Sequence, residues 1–344
     1  MSRKFDVVIG NPPYQEEAQG GGTRDTPVYH QFMDAAYEVA SKAVLITPAR
    51  FLFNAGFTPK AWNEKMLADR HLSVPHYVPN SNDLFPGTDI KGGIAVTYWD
   101  EERDDEPIDT FTSYPELNEI LHKVNATHEE SIAPIISSGR AYAYTELMHK
   151  ENPQASTLMS TDAQFRVSTN AFDQLPFLYL ATLPDDGHEY GQVLGLVKNK
   201  RFSRWIRRNY IRGPRSFDKF KVVLPAANGS GVLGENLSSP DVIGPEVAVT
   251  QTFITIGAFN DEVHAQACLK YVKTKFARAM LGILKITQHN PAKVWKHVPL
   301  QDFTQASDID WSRSIAEIDH QLYAKYGLDH DEIEFIESHA KPMS

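Results

Sequence analysis

The chain has 344 residues, 44 Asp and Glu against 34 Lys and Arg, a net charge of −10, and a single cysteine. This length provides for two domains with a core in each, and the lone Cys268 excludes a disulfide within the chain. No signal peptide or membrane-length apolar run is visible, so the sequence reads as a cytoplasmic protein with no membrane partner.

The first element is an apolar run, Phe5, Val7, Val8 and Ile9, that ends at Gly10. It reads as a strand buried on both faces, as in a parallel sheet covered by helices. Asn11, Pro12, Pro13 and Tyr14 follow at the strand's carboxyl end, where α/β folds place ligands. The two prolines fix φ and remove two donors, so the Pro12 carbonyl stands free of a local helical bond beside the Asn11 side-chain oxygen. Two rigid acceptors can grip the two hydrogens of an exocyclic amine, and the Tyr14 ring can stack on the base that carries it. A base inside a duplex is out of reach and has to be flipped out at a cost of a few kcal/mol.

Thr26 and Pro27 give a helix-start signal, followed by an apolar stripe of Tyr29, Phe32, Met33, Ala36, Tyr37 and Ala40. Ala43 to Thr47 reads as the next buried strand, and Thr58-Pro59 as a second helix start with Trp62, Met66 and Leu67 on one side. A loop flanked by Leu84-Phe85-Pro86-Gly87 and Lys91-Gly92-Gly93 leads into a third strand, Ile94 to Trp99. Gly20 to Gly22 read as a flexible linker. The charged run from Asp100 to Glu106 reads as a solvated boundary between domains at 1–110 and 111–344.

The stretch from Phe5 to Gln15 resembles the catalytic loop of amino-group DNA methyltransferases, in particular the adenine-specific enzymes of bacterial restriction-modification systems. The resemblance implies that Asn11, Pro12, Pro13 and Tyr14 form the catalytic loop, and that Tyr98 or Trp99 closes the other face of the flipped base. Only one of these two can serve, since neighbouring strand residues face opposite sides. It further implies an α/β fold, a partial Rossmann-like methyltransferase sheet followed by an α+β target-recognition domain. Lys273-Thr274-Lys275-Phe276 through His289, Lys296 to Leu300, and Leu322 to Leu328 also look like the target-recognition region of such enzymes.

The family binds S-adenosylmethionine at an earlier strand and glycine turn, and only ten residues precede Asn11, so that site is expected to be incomplete here. Gly229-Ser230-Gly231-Val232-Leu233-Gly234 matches G-x-G-x-x-G after a strand-like run, Lys221 to Pro225, but no helical period follows it. A second subunit or a missing N-terminal region is therefore expected to supply the cofactor half.

The acidic balance hides a basic segment. Lys198, Lys200, Arg201, Arg204, Arg207, Arg208, Arg212, Arg215, Lys219 and Lys221 stand against Asp218 alone, a local charge of +9 that leaves −19 elsewhere. With Phe202, Trp205 and Tyr210 interleaved, the segment reads either as a surface for double-stranded DNA or as an exposed helix, with Trp205 packed inward, that binds an acidic partner. A helix starting at Asp261 is expected to bury Ala265, Cys268, Leu269, Val272, Phe276 and Met280 and to leave Lys270, Lys273, Lys275 and Arg278 in solvent. Gly327 ends a C-terminal helix and Asp329 caps the last one.

His289 and His297 lack partners at metal-ligand spacing, Glu246 lacks the lysine of a nuclease centre, and no phosphate loop of the G-x-x-x-x-G-K type is present, so no metal site, nuclease or motor is indicated. Two functions remain: a site-specific DNA adenine methyltransferase, or a catalytically inactive DNA-binding specificity subunit of a restriction-modification system.

Overall fold

In the computed structural model, which describes residues 4–16, 26–54, 57–90 and 92–343, the first apolar run forms strand β1 (Phe5–Gly10). The chain divides into two units, Met1–Ala126 and Thr127–Ser344, both of mixed α/β structure. The Gly20–Gly22 linker and Lys91 lie outside the described residues. No helix among the described residues is long and apolar enough to cross a membrane.

The first unit continues with α1 (Tyr29–Val39), β2 (Ala40–Pro48), α2 (Lys60–Leu67), β3 (Leu72–Val78), β4 (Ile94–Asp100) and α3 (Pro115–Asn125). The sheet order is β1-β2-β4-β3. β1 runs parallel to β2, from Phe5 opposite Ala40 to Gly10 opposite Leu45, and β4 is antiparallel to both of its neighbours. One apolar stripe from each helix packs on alternate strand residues: Tyr29, Met33, Tyr37, Trp62 and Met66 meet Ala43, Leu45, Leu72, Ala95 and Trp99.

Three local expectations are corrected. β1 is an edge strand and is not buried on both faces: Phe5, Val7 and Ile9 are exposed, Ile9 by 76%. The alternate residues turn toward the helices, and Val8 packs on the core. Thr26 and Pro27 do not start α1, because they pair antiparallel with Gln15 and Glu16, while the Val28 amide donates to the Tyr14 carbonyl at 3.1 Å. That pairing takes up the backbone a helix would need, and α1 begins two residues later, at Tyr29, with no side-chain cap. The charged run after β4 is tied into the first unit: Asp100 pairs with Lys42 at 2.9 Å, Arg70 with Asp104, and Arg103 donates to Ser73 Oγ at 2.6 Å.

The second unit contains β5 (Ile136–Ser138), β6 (Tyr190–Val197), β7 (Lys200–Arg207), β8 (Phe220–Pro225), β9 (Asp241–Ile243), β10 (Val247–Val249) and β11 (Phe253–Phe259). One sheet has the order β7-β6-β10 and a second β9-β8-β11-β5. Tyr142, Tyr144, Val193, Ile206, Val223 and Phe253 share one core.

Four helices follow, α4 (Glu262–Lys273), α5 (Lys275–Gly282), α6 (Ile315–Lys325) and α7 (His330–His339). The six residues expected on the buried face of α4 and α5 are buried, but the helix is not continuous. Thr274 turns extended and its hydroxyl caps Ala277, while Asp319 accepts the Lys275 and Phe276 amides at 3.0 and 2.9 Å. The break turns Arg278 inward instead of into solvent; it is 2% exposed, with its guanidinium on the Gly234 carbonyl and the Asn236 side chain. Asp329 caps α7 with a full capping box through Glu332.

Candidate active site

At the carboxyl end of β1 the chain leaves the sheet beyond Gly10 and presents Asn11 and Pro13 to solvent, with Pro12 and Tyr14 half-buried. The Pro12 carbonyl accepts no backbone hydrogen bond from the described residues. The Tyr14 hydroxyl is buried and finds no partner of good hydrogen-bond geometry. Burial pushes its pKa up, with the Asn11 side chain beside it pulling the other way. The Asn11 side chain, the unbonded Pro12 carbonyl and an aromatic ring therefore share one short loop, anchored at the far side by the Tyr14 carbonyl on Val28.

The strand register brings further groups to this end of the sheet. Pro48 lies opposite Ile94, and the Ala49 amide donates to the Gly93 carbonyl at 3.0 Å. Gly93 has φ +76° and a Cβ there would stand 2.3 Å from the Val78 carbonyl, so only glycine admits this close approach. Among the described residues, Arg50 Nε and His30 Nδ1 are buried without a partner. Burial holds the His30 imidazole below its usual pKa, against the pull of Asp34.

The two stacking candidates fall on opposite faces of β4. Trp99 is 6% exposed, stacks on Tyr37 and donates to Asp69 at 3.1 Å, so it has no free face for a base. Tyr98 points to the other face and donates to Asp100 at 2.7 Å. It lies opposite Val44, one row inside the level at which the Asn11 loop leaves the sheet.

The glycine loop at Gly229 to Gly234 does not fit a cofactor. The Glu235 carboxylate accepts from the Ser230 and Gly231 amides and meets Lys285, which also donates to the Asn228 carbonyl. The place where a ligand anion would sit already holds a protein carboxylate. Glu235 is the residue that the sequence reading passed over; an acid directly after the last glycine was the available signal. No other glycine turn of this type occurs among the described residues.

The basic segment is a hairpin and a following turn, not a helix. β6 and β7 are joined by Lys198 and Asn199, both at positive φ (49° and 61°), the two-residue turn that matches strand twist. Some of its cations serve the fold: Arg207 pairs with Glu151 at 2.8 Å, and Arg208 pairs with Asp218 at 2.7 Å and lies over the Phe217 ring. Arg201 is half-buried over Phe253. Lys221 is fully buried, its Nζ on the Phe217, Lys219 and Gly244 carbonyls. Lys198, Lys200, Arg212 and Arg215 are exposed, and they and Arg204 have no acidic partner among the described residues.

Residues 1–85 match the family model of the Eco57I restriction-modification methylase. An uncharacterized adenine-specific methylase of Mycoplasma pneumoniae is 31% identical over 99 residues, 28% of this chain and 24% of the relative. The match thus spans about a quarter of that relative's length. The type IIG restriction endonuclease BpuSI aligns over 86% of this chain and 44% of its own at 10% identity, with a TM-score of 0.29, too loose a likeness to carry an argument. Residues 1–85, which contain the Asn11 to Tyr14 loop, are therefore similar to a restriction-modification methylase, and a stretch of 99 residues is similar to an adenine-specific methylase.

Proposed function

We propose that the chain is the catalytic and target-recognition part of an adenine-specific DNA methyltransferase from a restriction-modification system. The observation that carries this reading is the exposed Asn11 and the unbonded Pro12 carbonyl in one short loop with the Tyr14 ring at the carboxyl end of a strand. A flipped adenine would lay its ring on Tyr14 and place its amine between the Asn11 side-chain oxygen and the Pro12 carbonyl. Stacking is worth about 1–3 kcal/mol per base, enough to offset much of the cost of extrusion. Two acceptors on the two amine hydrogens draw the nitrogen toward a tetrahedral shape and free its lone pair for attack. Because Pro12 and Pro13 hold the loop in place beforehand, the grip needs no reorganisation when the base arrives. Trp99 has no part in this grip, since its ring is committed to Tyr37.

S-adenosylmethionine supplies the methyl group in such enzymes, and the described residues do not fit it, since Glu235 closes the one glycine loop of that type. The four strands would then form the catalytic half of a Rossmann-like sheet. The donor-binding half would come from another polypeptide segment or subunit beside the open edge of β1. Recognition of double-stranded DNA would fall to the second unit, through Lys198, Lys200, Arg204, Arg212 and Arg215. Arg201, Arg207 and Arg208 would act mainly by bracing that surface.

The misfit of the donor also favours a second reading, a DNA-binding specificity subunit that keeps the proline loop without catalysis. Transfer of labelled methyl groups to duplex DNA, by the chain alone and within the complex purified from its source, separates the two. Asn11→Ala should lower transfer by about 100-fold or more, in line with the loss of one preorganised polar contact. Undiminished transfer would exclude the amine grip.

A further inference from the structure

The hairpin of β6 and β7 contains Lys198, Lys200, Arg201, Arg204 and Arg207 and not one Asp or Glu from Tyr190 to Arg207, in a chain whose net charge is −10. Its inner half is anchored: Val193, Leu194 and Ile206 are buried in the core, and Arg207 is held by Glu151. Its tip is more open. Lys198, Asn199, Lys200, Phe202 and Ser203 are exposed, and β7 is an edge strand whose outer side is bonded to Leu180 at Trp205 alone among the described residues. Phe202 and Arg204 fall on the same side of the strand, two residues apart, and the guanidinium lies 5.2 Å from the ring centre. Phe202 is 38% exposed, a large apolar ring in a cationic setting.

A two-stranded ribbon fits the major groove of B-form DNA, which is about 12 Å wide and displays a distinct pattern for each base pair. An arginine can bind guanine O6 and N7 in a bidentate way there, and an apolar group can contact the thymine methyl. Lysines at the tip are suited to the phosphates that flank the groove. We propose that the β6–β7 hairpin enters the major groove of duplex DNA, with Arg204 reading a guanine, Phe202 positioning its guanidinium, and Lys198 and Lys200 neutralising phosphates. This rests on the reading of the chain as a DNA methyltransferase and adds the element that reads the sequence. The competing role for such residues is to guard an edge strand against pairing with another chain, for which charge alone suffices.

Binding to sheared duplex DNA across a salt series, and recovery of bound duplexes from a random-sequence pool, test the proposal without needing methyl transfer. The double variant Lys198→Ala with Lys200→Ala should reduce the slope of log affinity against log salt by about 2, one phosphate for each lysine. Arg204→Ala should cost about tenfold or more in discrimination at one guanine of the wild-type consensus. Wild-type protein should lose the same discrimination on duplexes with 7-deazaguanine at that position, which lacks the N7 acceptor. Arg204→Lys keeps the charge and should hold the salt slope while losing the guanine preference. Lys198 and Lys200 are exposed and Arg204 is half-buried with no acidic partner among the described residues, so thermal unfolding should change little.

An unaltered salt slope, a wild-type pool without a consensus, tolerance of 7-deazaguanine, or no duplex binding at all would each overturn the ribbon. Failure of methyl transfer with these binding results intact would instead count against the enzymatic reading.

Discussion

The indole of Trp99 lies flat against the phenol ring of Tyr37, with centroids 4.9 Å apart and planes 13° from parallel. This pair joins α1 to the middle of the sheet, and the Asp69 carboxylate on the indole nitrogen fixes its orientation. Trp99→Ala should therefore act on stability, costing about 3–5 kcal/mol as a buried aromatic truncation does. Trp99→Phe keeps a ring in the core, and base extrusion followed with 2-aminopurine fluorescence should remain at the wild-type level. A selective loss of extrusion in the folded Phe variant would return Trp99 to the base pocket.

The glycine loop supplies an acid-sensitive contact. Burial works to raise the Glu235 carboxyl, but Lys285 and the Ser230 and Gly231 amides outweigh it and hold it below its usual value of 4.5. A carboxyl that is depressed in the folded state contributes stability that is fully present above its unfolded pKa and fades as pH falls through the folded one. Urea midpoints should thus drop below pH 4.5 more steeply for the wild type than for Glu235→Gln. At neutral pH the same variant should be the weaker by about 3–5 kcal/mol, because it leaves the buried Lys285 without its counter-charge.

Arg207 and Arg208 sit in the basic segment, yet their side chains are spent on Glu151, Tyr210, Asp218 and Phe217. Arg207→Ala with Arg208→Ala should reduce stability, the ion pairs accounting for about 0.2–1 kcal/mol apiece and the ring contacts for more. The salt slope of DNA binding should change little compared with loss of Lys198 and Lys200. A slope reduced by about 2 in the arginine double variant would mean that both guanidinium groups leave their acids to meet phosphate.

What the sequence disclosed was mainly what acts locally. The Asn11 to Tyr14 loop is legible because two adjacent prolines dictate their own backbone, and the cap at Asp329 because Asp and Glu three residues apart satisfy helix amides wherever they fall. The apolar stripe of α1 was visible by period, except that Phe32 faces out. β3 went unread because Pro75 interrupts it, a residue that sheets tolerate at an edge, where β3 lies. The hairpin at Lys198 was concealed by basic residues that suit a helix equally well; only the positive φ of Lys198 and Asn199 reveals the turn. Burial was the least legible property. Arg278 goes inward because Thr274 breaks a helix that its apolar period would continue, and Ile9 goes outward because it lies on the face of β1 opposite to Val8, away from the core.

That outward side of β1 makes an unusual prediction for an apolar strand. Parallel strands are usually enclosed, and a β1 sequence of Phe5, Val7, Val8 and Ile9 suits enclosure on both faces. Here Ile9 has nothing over it, so Ile9→Lys should alter the stability of the chain by no more than about 0.5 kcal/mol. Val8→Lys places its charge against the core and should cost several times as much. Thermal unfolding of the two variants separates the faces. A severe loss for Ile9→Lys in the isolated chain would show that this face is already covered, leaving it no room for a donor-binding segment. If that segment extends the sheet at this edge and covers its open face, Ile9→Lys should stay folded on its own and fail in methyl transfer within the complex, because the lysine would then be buried beneath the added layer.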